Sequence, residues 1–252
     1  MKILFLGDIV GRTTVAYLQK NLWDLRERLG ADLVLANGEN ATDILGLSRA
    51  DAEALLSSGV DLLTGGNHTL HNFDLYPLLD DSPYLLRPAN LPAAAPGKGE
   101  SVIEVCGVRV LVMNLIGMQN MTHAGNLFES ADRILARNAG AYDIAVCDLH
   151  AEATAEKIAL GYYLDGRVQL VVGTHTHVQT ADEKILPGGT AYITDLGMCG
   201  PENGVLGADR EVILRKLSTS MPVRFKVADG LPVLHGVLVT LDGARATAIE
   251  RI

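Results

Sequence analysis

The chain is poor in the features that secreted scaffolds, membrane proteins and nucleic-acid clamps depend on. Only three of its 252 residues are cysteines, Cys106, Cys147 and Cys199, far apart and with no C-x-x-C spacing. That excludes a disulfide framework and fits reduced thiols in a cytoplasm. No apolar stretch approaches the length of a membrane span. The first apolar run, Ile3 to Leu6, meets Gly7-Asp8 too soon for a signal peptide, so the expectation is a soluble cytoplasmic protein. Positive charge is scarce: 21 Lys and Arg against 30 Asp and Glu leave a formal net charge of -9. An extended nucleic-acid groove needs clustered cations to displace counterions, and that is disfavoured here. A small phosphorylated substrate stays open, because bound dications would set the local field. Internal repeats and low-complexity tracts are absent too.

What is present is an alternation of short apolar runs and helical periods. Lys2 to Leu6 reads as a buried strand ended by Gly7-Asp8, and a helix capped by Thr13 or Thr14 follows, with Gly30 as its stop. Asp32 to Ala36 is a second strand, ending in Asn37-Gly38-Glu39-Asn40. Ser48 and Asp51 form a capping box for a helix reaching Ser58. Val60 to Thr64 is a third strand, ending in Gly65-Gly66-Asn67-His68. Pro88 to Gly99 is surface loop, and Ser101 to Val105 with Val108 to Met113 form a hairpin about Cys106-Gly107. Ile116 to Asn126 reads as a loop over a site, and Leu127 to Asn138 as a helix. The strand Asp143 to Cys147 ends in Asp148-Leu149-His150, and a helix over Glu152 to Tyr163 leads to the strand Val168 to Val172. Beyond it, Lys184 to Leu186 and Thr190 to Thr194 make a hairpin, Asp195 to Ala208 a glycine-rich loop near the site, and Asp209 to Leu217 a short helix. Strands over 238–241 and 244–249 turn at Asp242-Gly243. Such alternation predicts an α/β fold with a mainly parallel, twisted sheet, in one domain spanning 1–252.

The chemistry concentrates where strands end. Gly173-Thr174-His175-Thr176-His177 follows an apolar strand, and two histidines two apart point the same way if the backbone stays extended. They can take one metal or two neighbouring ones, or serve as hydrogen-bonded loop residues. Asp8, Glu39-Asn40, Asn67-His68 and His150 end other strands in the same manner. In an open parallel sheet the carboxyl ends of the strands share one edge, where the crevice lies. A single acid there is a helix cap; five ends bearing Asp, Glu, Asn or His are hard to explain as caps. Mixed carboxylate, imidazole and amide groups suit iron, manganese or zinc. There are too many candidates for one closed tetrahedral site, which favours two ions about 4 Å apart clamping a phosphoryl displacement, with Glu39 as the natural bridge.

Gly7-Asp8, Asn37-Gly38-Glu39-Asn40, Gly66-Asn67-His68, His150 and Gly173-Thr174-His175-Thr176-His177 resemble, in order, the motif series of calcineurin-like metallophosphoesterases. The usual Asp-x-His is replaced by Asp8-Ile9-Val10, and the usual Gly-Asp by Gly38-Glu39. Those departures resemble the branch of YmdB-like phosphodiesterases acting on 2′,3′-cyclic nucleotides. The resemblance implies a four-layer α/β/β/α sandwich. It implies one metal held by Asp8, Glu39, Asn40 and His177, with Asn40 standing in for the missing histidine, and a second held by Glu39, Asn67, His150 and His175. It implies His68 as catalytic acid, protonating the leaving 2′-oxygen while a metal-bridging hydroxide attacks in line. Iron is the first expectation for both ions. A small phosphodiester is the expected partner, and a homo-oligomer is carried by the resemblance alone.

Other readings compete. The same centre suits a general phosphomonoesterase or nuclease, and a regulatory partner of RNA-processing proteins with a mainly structural metal site is the rival from another class. His71 reads as a solvated turn residue or a partner behind His68, His123 as a loop histidine and His235 as structural. His150-Ala151-Glu152 mimics the H-x-E of zinc deaminases, but no P-C-x-x-C follows. Cys199 has no neighbouring base and reads as a structural thiol, and Gly204 to Gly207 lacks the lysine of a phosphate loop.

Overall fold

The computed structural model describes every residue except Ile44, Thr122 and His123. In chain order the elements are β1 (Lys2–Val10), α1 (Arg12–Leu29), β2 (Leu33–Asn40), α2 (Arg49–Ser57), β3 (Leu62–Thr64), a 3₁₀ turn (Phe73–Leu75), α3 (Tyr76–Asp81), β4 (Glu100–Val105), β5 (Val108–Ile116) and α4 (Leu127–Arg137). There follow β6 (Ile144–His150), α5 (Thr154–Leu164), β7 (Leu170–Thr174), β8 (Lys184–Ile185), β9 (Ala191–Ile193), β10 (Met198–Pro201), α6 (Arg210–Thr219), β11 (Pro232–Val233), β12 (Gly236–Asp242) and β13 (Arg245–Arg251).

The strands form two sheets. One runs β11-β10-β1-β12-β13, with β2 and β3 continuing from β1; the other runs β4-β5-β6-β7-β9-β8. The period-2 alternation of β1 shows why they stack. Ile3 and Phe5 face inward and meet Val110, Val146 and Val172 of the other sheet, while Leu4 and Leu6 face outward onto Val15, Leu18 and Leu22 of α1. On the far side Met113, Ala145 and Val171 pack against Ala131, Ile134 and Leu160 of α4 and α5. The expected four layers, helix on sheet on sheet on helix, are therefore present. Burial of both faces explains the nearly unbroken apolar runs of β1, β6 and β7.

Four expectations need correction. The sheets are mixed rather than mainly parallel: β1 accepts β12 as an antiparallel neighbour, Lys2 opposite Thr240 and Leu6 opposite Gly236. β1 does not end at Gly7-Asp8 but continues to Val10, because irregular pairing with β2 (Asp8 opposite Asn37, Val10 opposite Asn40) and pairing with β10 carry it on. Such bulges re-aim side chains at functional rims. The loop over Asp195 to Ala208 contains β10, whose Gly-Pro content hid a strand paired with Asp8 and Ile9. Neither threonine caps α1: Gly11 occupies that position, and the Thr14 hydroxyl bonds back to the Val10 carbonyl at 2.7 Å. Ser48 does cap α2, accepting from the Asp51 amide at 3.2 Å, and Gly30 ends α1 in the left-handed region. Among the described residues no helix is long and apolar enough to cross a membrane.

Candidate metal centre

The carboxyl ends of β1, β2, β6 and β7, with the turn after β3, meet at one rim. All eight singled-out side chains converge there. Asp8, Glu39, Asn40 and His150 are buried; Asn67, His68, His175 and His177 are partly buried.

His150 is the hub. Its Nδ1 lies 3.0 Å from the Thr174 hydroxyl, which itself donates to Asp148 Oδ1 at 2.8 Å. A hydroxyl that donates outward accepts from the imidazole, so in the neutral ring Nδ1 carries the proton and Nε2 presents a bare lone pair. Around that Nε2, each at 3.0 Å, stand Glu39 Oε1, Asn67 Oδ1 and His175 Nδ1. His175 Nε2 lies 3.2 Å from Glu152 Oε2, which assigns the ring proton to Nε2 and leaves Nδ1 bare. Four lone-pair atoms so placed repel unless they share a cation, and Glu39, His150 and His175 do form a group of metal-ligand spacing. A proton substitutes in part: burial disfavours the His150 imidazolium, but the Glu39 and Asp8 carboxylates outweigh it and push the ring up to about 9. Burial alone would raise Glu39, yet the His150 and His68 imidazoles hold it well below the usual carboxylate range. Burial, then His150, brings His175 down to about 4.

The second cluster is looser. Asp8 Oδ2 accepts from the His175 amide at 3.0 Å, while Oδ1 is buried with no hydrogen-bond partner, 3.8 Å from both His150 Nδ1 and His177 Nε2. An orphaned buried carboxylate oxygen costs free energy unless something positive meets it; burial raises the Asp8 pKa. Asn40 Nδ2 lies 3.2 Å from both Glu39 Oε1 and His177 Nε2, and its Oδ1 is 3.0 Å from His68 Nδ1. Holding a cation through Oδ1 would require that amide to turn over. The donor set and the unmatched Asp8 oxygen both fit bound cations. Gly66 completes the fit, since a Cβ there would collide with the Glu39 carboxylate and the His150 ring.

The backbone of the histidine motif departs from expectation. β7 ends at Thr174, and His175 (φ 103°) and His177 (φ 64°) both lie in the left-handed region rather than in extended chain. Non-glycine residues there carry strain of about 1–3 kcal/mol each, which the surroundings must impose. Here the restraint is Asp195, which accepts from the Thr176 amide (3.1 Å) and hydroxyl (2.7 Å) and pairs with buried Lys157 at 2.6 Å. The two imidazoles thus reach different partners, His175 toward His150 and His177 toward Asn40, with His177 Nδ1 held 3.0 Å from the Leu206 carbonyl.

Sequence reasoning missed the supports: Asp148, Asp195, Lys157, Thr174 and Asn37. Asp148 accepts from Thr64, Thr174 and Asn37, and burial pushes its carboxyl up to about 6 despite those bonds. His71 is exposed, with its ring 5.0 Å from His68. Cys199 is buried and its thiol pushed up to about 12, as a structural thiol should be. The described residues of the 117–126 loop bond to Glu156 and Asn90, and His123 lies outside the described residues.

A four-layer sandwich with carboxylate, amide and imidazole groups on its strand ends is the arrangement of a calcineurin-like metallophosphoesterase. NAD nucleotidase of Haemophilus influenzae shares the fold, with a TM-score of 0.61 at 14% identity over 100% of this chain and 55% of that one. Residues 4–252 match the model of the YmdB-like protein family, and the chain belongs to that family. It is 44% identical over 254 residues to the Bacillus subtilis (strain 168) protein named 2′,3′-cyclic-nucleotide 2′-phosphodiesterase, covering 100% of this chain and 96% of that protein. Two crystal structures superpose on it: a hypothetical protein from Thermus thermophilus (TM-score 0.94, 38% identity, 100% and 98% covered) and a novel phosphatase from Mycoplasma pneumoniae (0.93, 34%, 100% and 92%). The chain is an enzyme of the phosphoesterase class.

Proposed function

We propose that residues 1–252 form one metallophosphoesterase domain that hydrolyses 2′,3′-cyclic nucleotides at the 2′-oxygen, releasing 3′-nucleotides. The observation that carries this reading is the set of lone pairs converging on His150 Nε2 beside the unmatched Asp8 oxygen. Support for the substrate comes from the name of the Bacillus subtilis relative. Asp8, Asn40 and His177 with Glu39 would hold one ion, and Glu39, Asn67, His150 and His175 the other. Iron is the first choice, and manganese or zinc also suits such ligands. Bound cations would acidify a water and offset charge on the phosphoryl oxygens.

The chain's own residues account for the rest. His68 turns Nδ1 inward, 3.0 Å from Asn40 Oδ1 and 3.4 Å from Glu39 Oε1, which leaves Nε2 for the substrate. With both ring nitrogens protonated, the charge of the imidazolium rests against that carboxylate. Water gives up one proton to solvent and adds to phosphorus as hydroxide, the P–O2′ bond breaks, and Nε2–H gives its proton to O2′, since an alkoxide is a poor leaving group; the neutral ring then regains a proton from solvent. Buried free Cys147 and Cys199 are compatible with a cytoplasmic setting. His68→Ala should retain its metal, counted per chain by elemental analysis, yet lose about 10²- to 10⁴-fold in turnover of 2′,3′-cyclic nucleotides. Near-normal turnover would rule out the acid. Faster hydrolysis of monoesters than of cyclic diesters would favour the second reading, a general phosphatase, which the name of the Mycoplasma pneumoniae structure supports.

A further inference from the structure

A cavity of about 930 Å³, lined by none of the eight residues of the candidate centre, lies between the 87–99 segment, the start of β4, residues 124–126 and α4. It sits beyond β5, whose last residue, Ile116, is in register with His150; Asn90 fastens the cavity floor to that strand by bonding both the amide and the carbonyl of Ile116. Four cations line it, Arg87, Lys98, Arg133 and Arg137, against two acids, Glu100 and Glu129. A net local charge of +2 in a chain of net charge -9 runs against the overall balance.

Arg87 is the telling residue. It is 6% exposed, its Nη1 donates to the Pro88 carbonyl at 2.7 Å, and its buried Nε has no hydrogen-bond partner. Among the described residues no carboxylate pairs with it, and burial alone pulls its pKa down. A guanidinium does not shed its proton inside a protein, so an unmatched one is costly until an anion meets it. Of the other cations, Arg137 is paired with Glu100 and, among the described residues, Arg133 bonds only the Ser130 hydroxyl. Lys98 is exposed at the rim.

We propose that this cavity binds a small organic phosphomonoester as its dianion, with the phosphate on Arg87, Arg133 and Lys98. The charge of +2 matches a phosphomonoester, whose second pKa is about 6. The volume lies at the upper end of small-molecule sites, far beyond inorganic phosphate, and Leu91, Pro92 and Ile134 supply an apolar wall for the organic body. Planar guanidinium forks are suited to bidentate phosphate contacts.

The test is calorimetric titration of the metal-loaded full chain with AMP, adenosine and inorganic phosphate. It is run on the wild type and on the Lys98→Glu, Arg133→Glu, Arg87→Gln and Asn67→Ala variants. AMP should bind the Asn67→Ala chain as it binds the cavity of the wild type, and should bind Lys98→Glu and Arg133→Glu at least ten-fold more weakly, with phosphate weaker than AMP and adenosine weakest. The two surface variants decide the matter should Arg87→Gln fail to fold. The proposal is overturned by AMP binding that the cavity substitutions leave unchanged, by binding that vanishes with Asn67→Ala alone, by adenosine binding as tightly as AMP, or by no binding at millimolar AMP.

Discussion

The two halves of the rim are built by opposite means. The strands of the first sheet supply carboxylate and amide groups, Asp8, Glu39 and Asn40, aimed by bulged pairing, and the turn after β3 adds Asn67 and His68. The half from the second sheet supplies imidazoles, and of these only His150 lies in a strand; His175 and His177 follow it on backbone forced to positive φ. Strand pairing, bulged at Asp8 and Val10, secures the first half. The second depends on buried charge, with Asp195 and Lys157 gripping the histidine loop and Asp148 steering His150 through Thr174. Short, stiff acids can be placed by a strand alone. A ring that must present one chosen nitrogen needs a partner on its other nitrogen.

That contrast can be broken most severely at Lys157. Lys157→Met leaves Asp195 buried without its cation, and the stability lost should be about 3–5 kcal/mol in denaturant unfolding. A loss under about 0.5 kcal/mol would mean that the pair does not hold the loop. Next comes Glu39→Gln, whose carboxylate reaches across from the first half to His150 Nε2 at 3.0 Å. It removes a charge at the junction, so hydrolysis should fall about 10³-fold, about 4 kcal/mol of barrier, with metal content per chain reduced. Full metal content after that change would show that the imidazole half suffices by itself.

Asp148→Asn probes the steering group more gently. Metal affinity should fall about 10- to 100-fold, as expected when the partner of a ligating histidine is altered. The sign of its pH effect is also fixed. The folded carboxyl titrates at about 6, above its unfolded value, so the folded chain binds the extra proton and this group's contribution to stability falls as pH rises from about 4 to 6. In metal-free protein Asp148→Asn should remove that decline, and an unchanged pH profile would put Asp148 outside it. The smallest effect belongs to Ser48→Ala, which uncaps α2 behind the acidic half. It should cost about 1 kcal/mol and leave metal content untouched.

The same contrast explains what could be read in advance. Helices and hairpins follow from apolar periodicity, so α1, the cores of β1 and β6 and the Cys106-Gly107 turn were legible; the four layers rest on the motif resemblance, since periodicity by itself gives one mainly parallel sheet. The ligand candidates were legible too, because Asp, Asn and His at strand ends stand out against apolar runs. The supports were not. Asp148 looks like the start of a loop until β6 is seen to run on to His150, and Asp195 looks like any residue after a strand. β10 escaped notice because four residues containing Gly and Pro carry no period. The left-handed turn at His175 and His177 is imposed by distant partners, and nothing local in Thr-His-Thr-His encodes it.

The placement of β12 beside β1 has a consequence for assembly. Asp8 emerges early from the ribosome, yet it lacks one flank until β10 near residue 198 is made, and the Lys2 to Leu6 half of its strand lacks one until residues near 240 have been synthesised. Contacts so distant along the chain are slow to close. Cation loading should therefore be a post-translational event, with the rim completed only after the final hairpin docks.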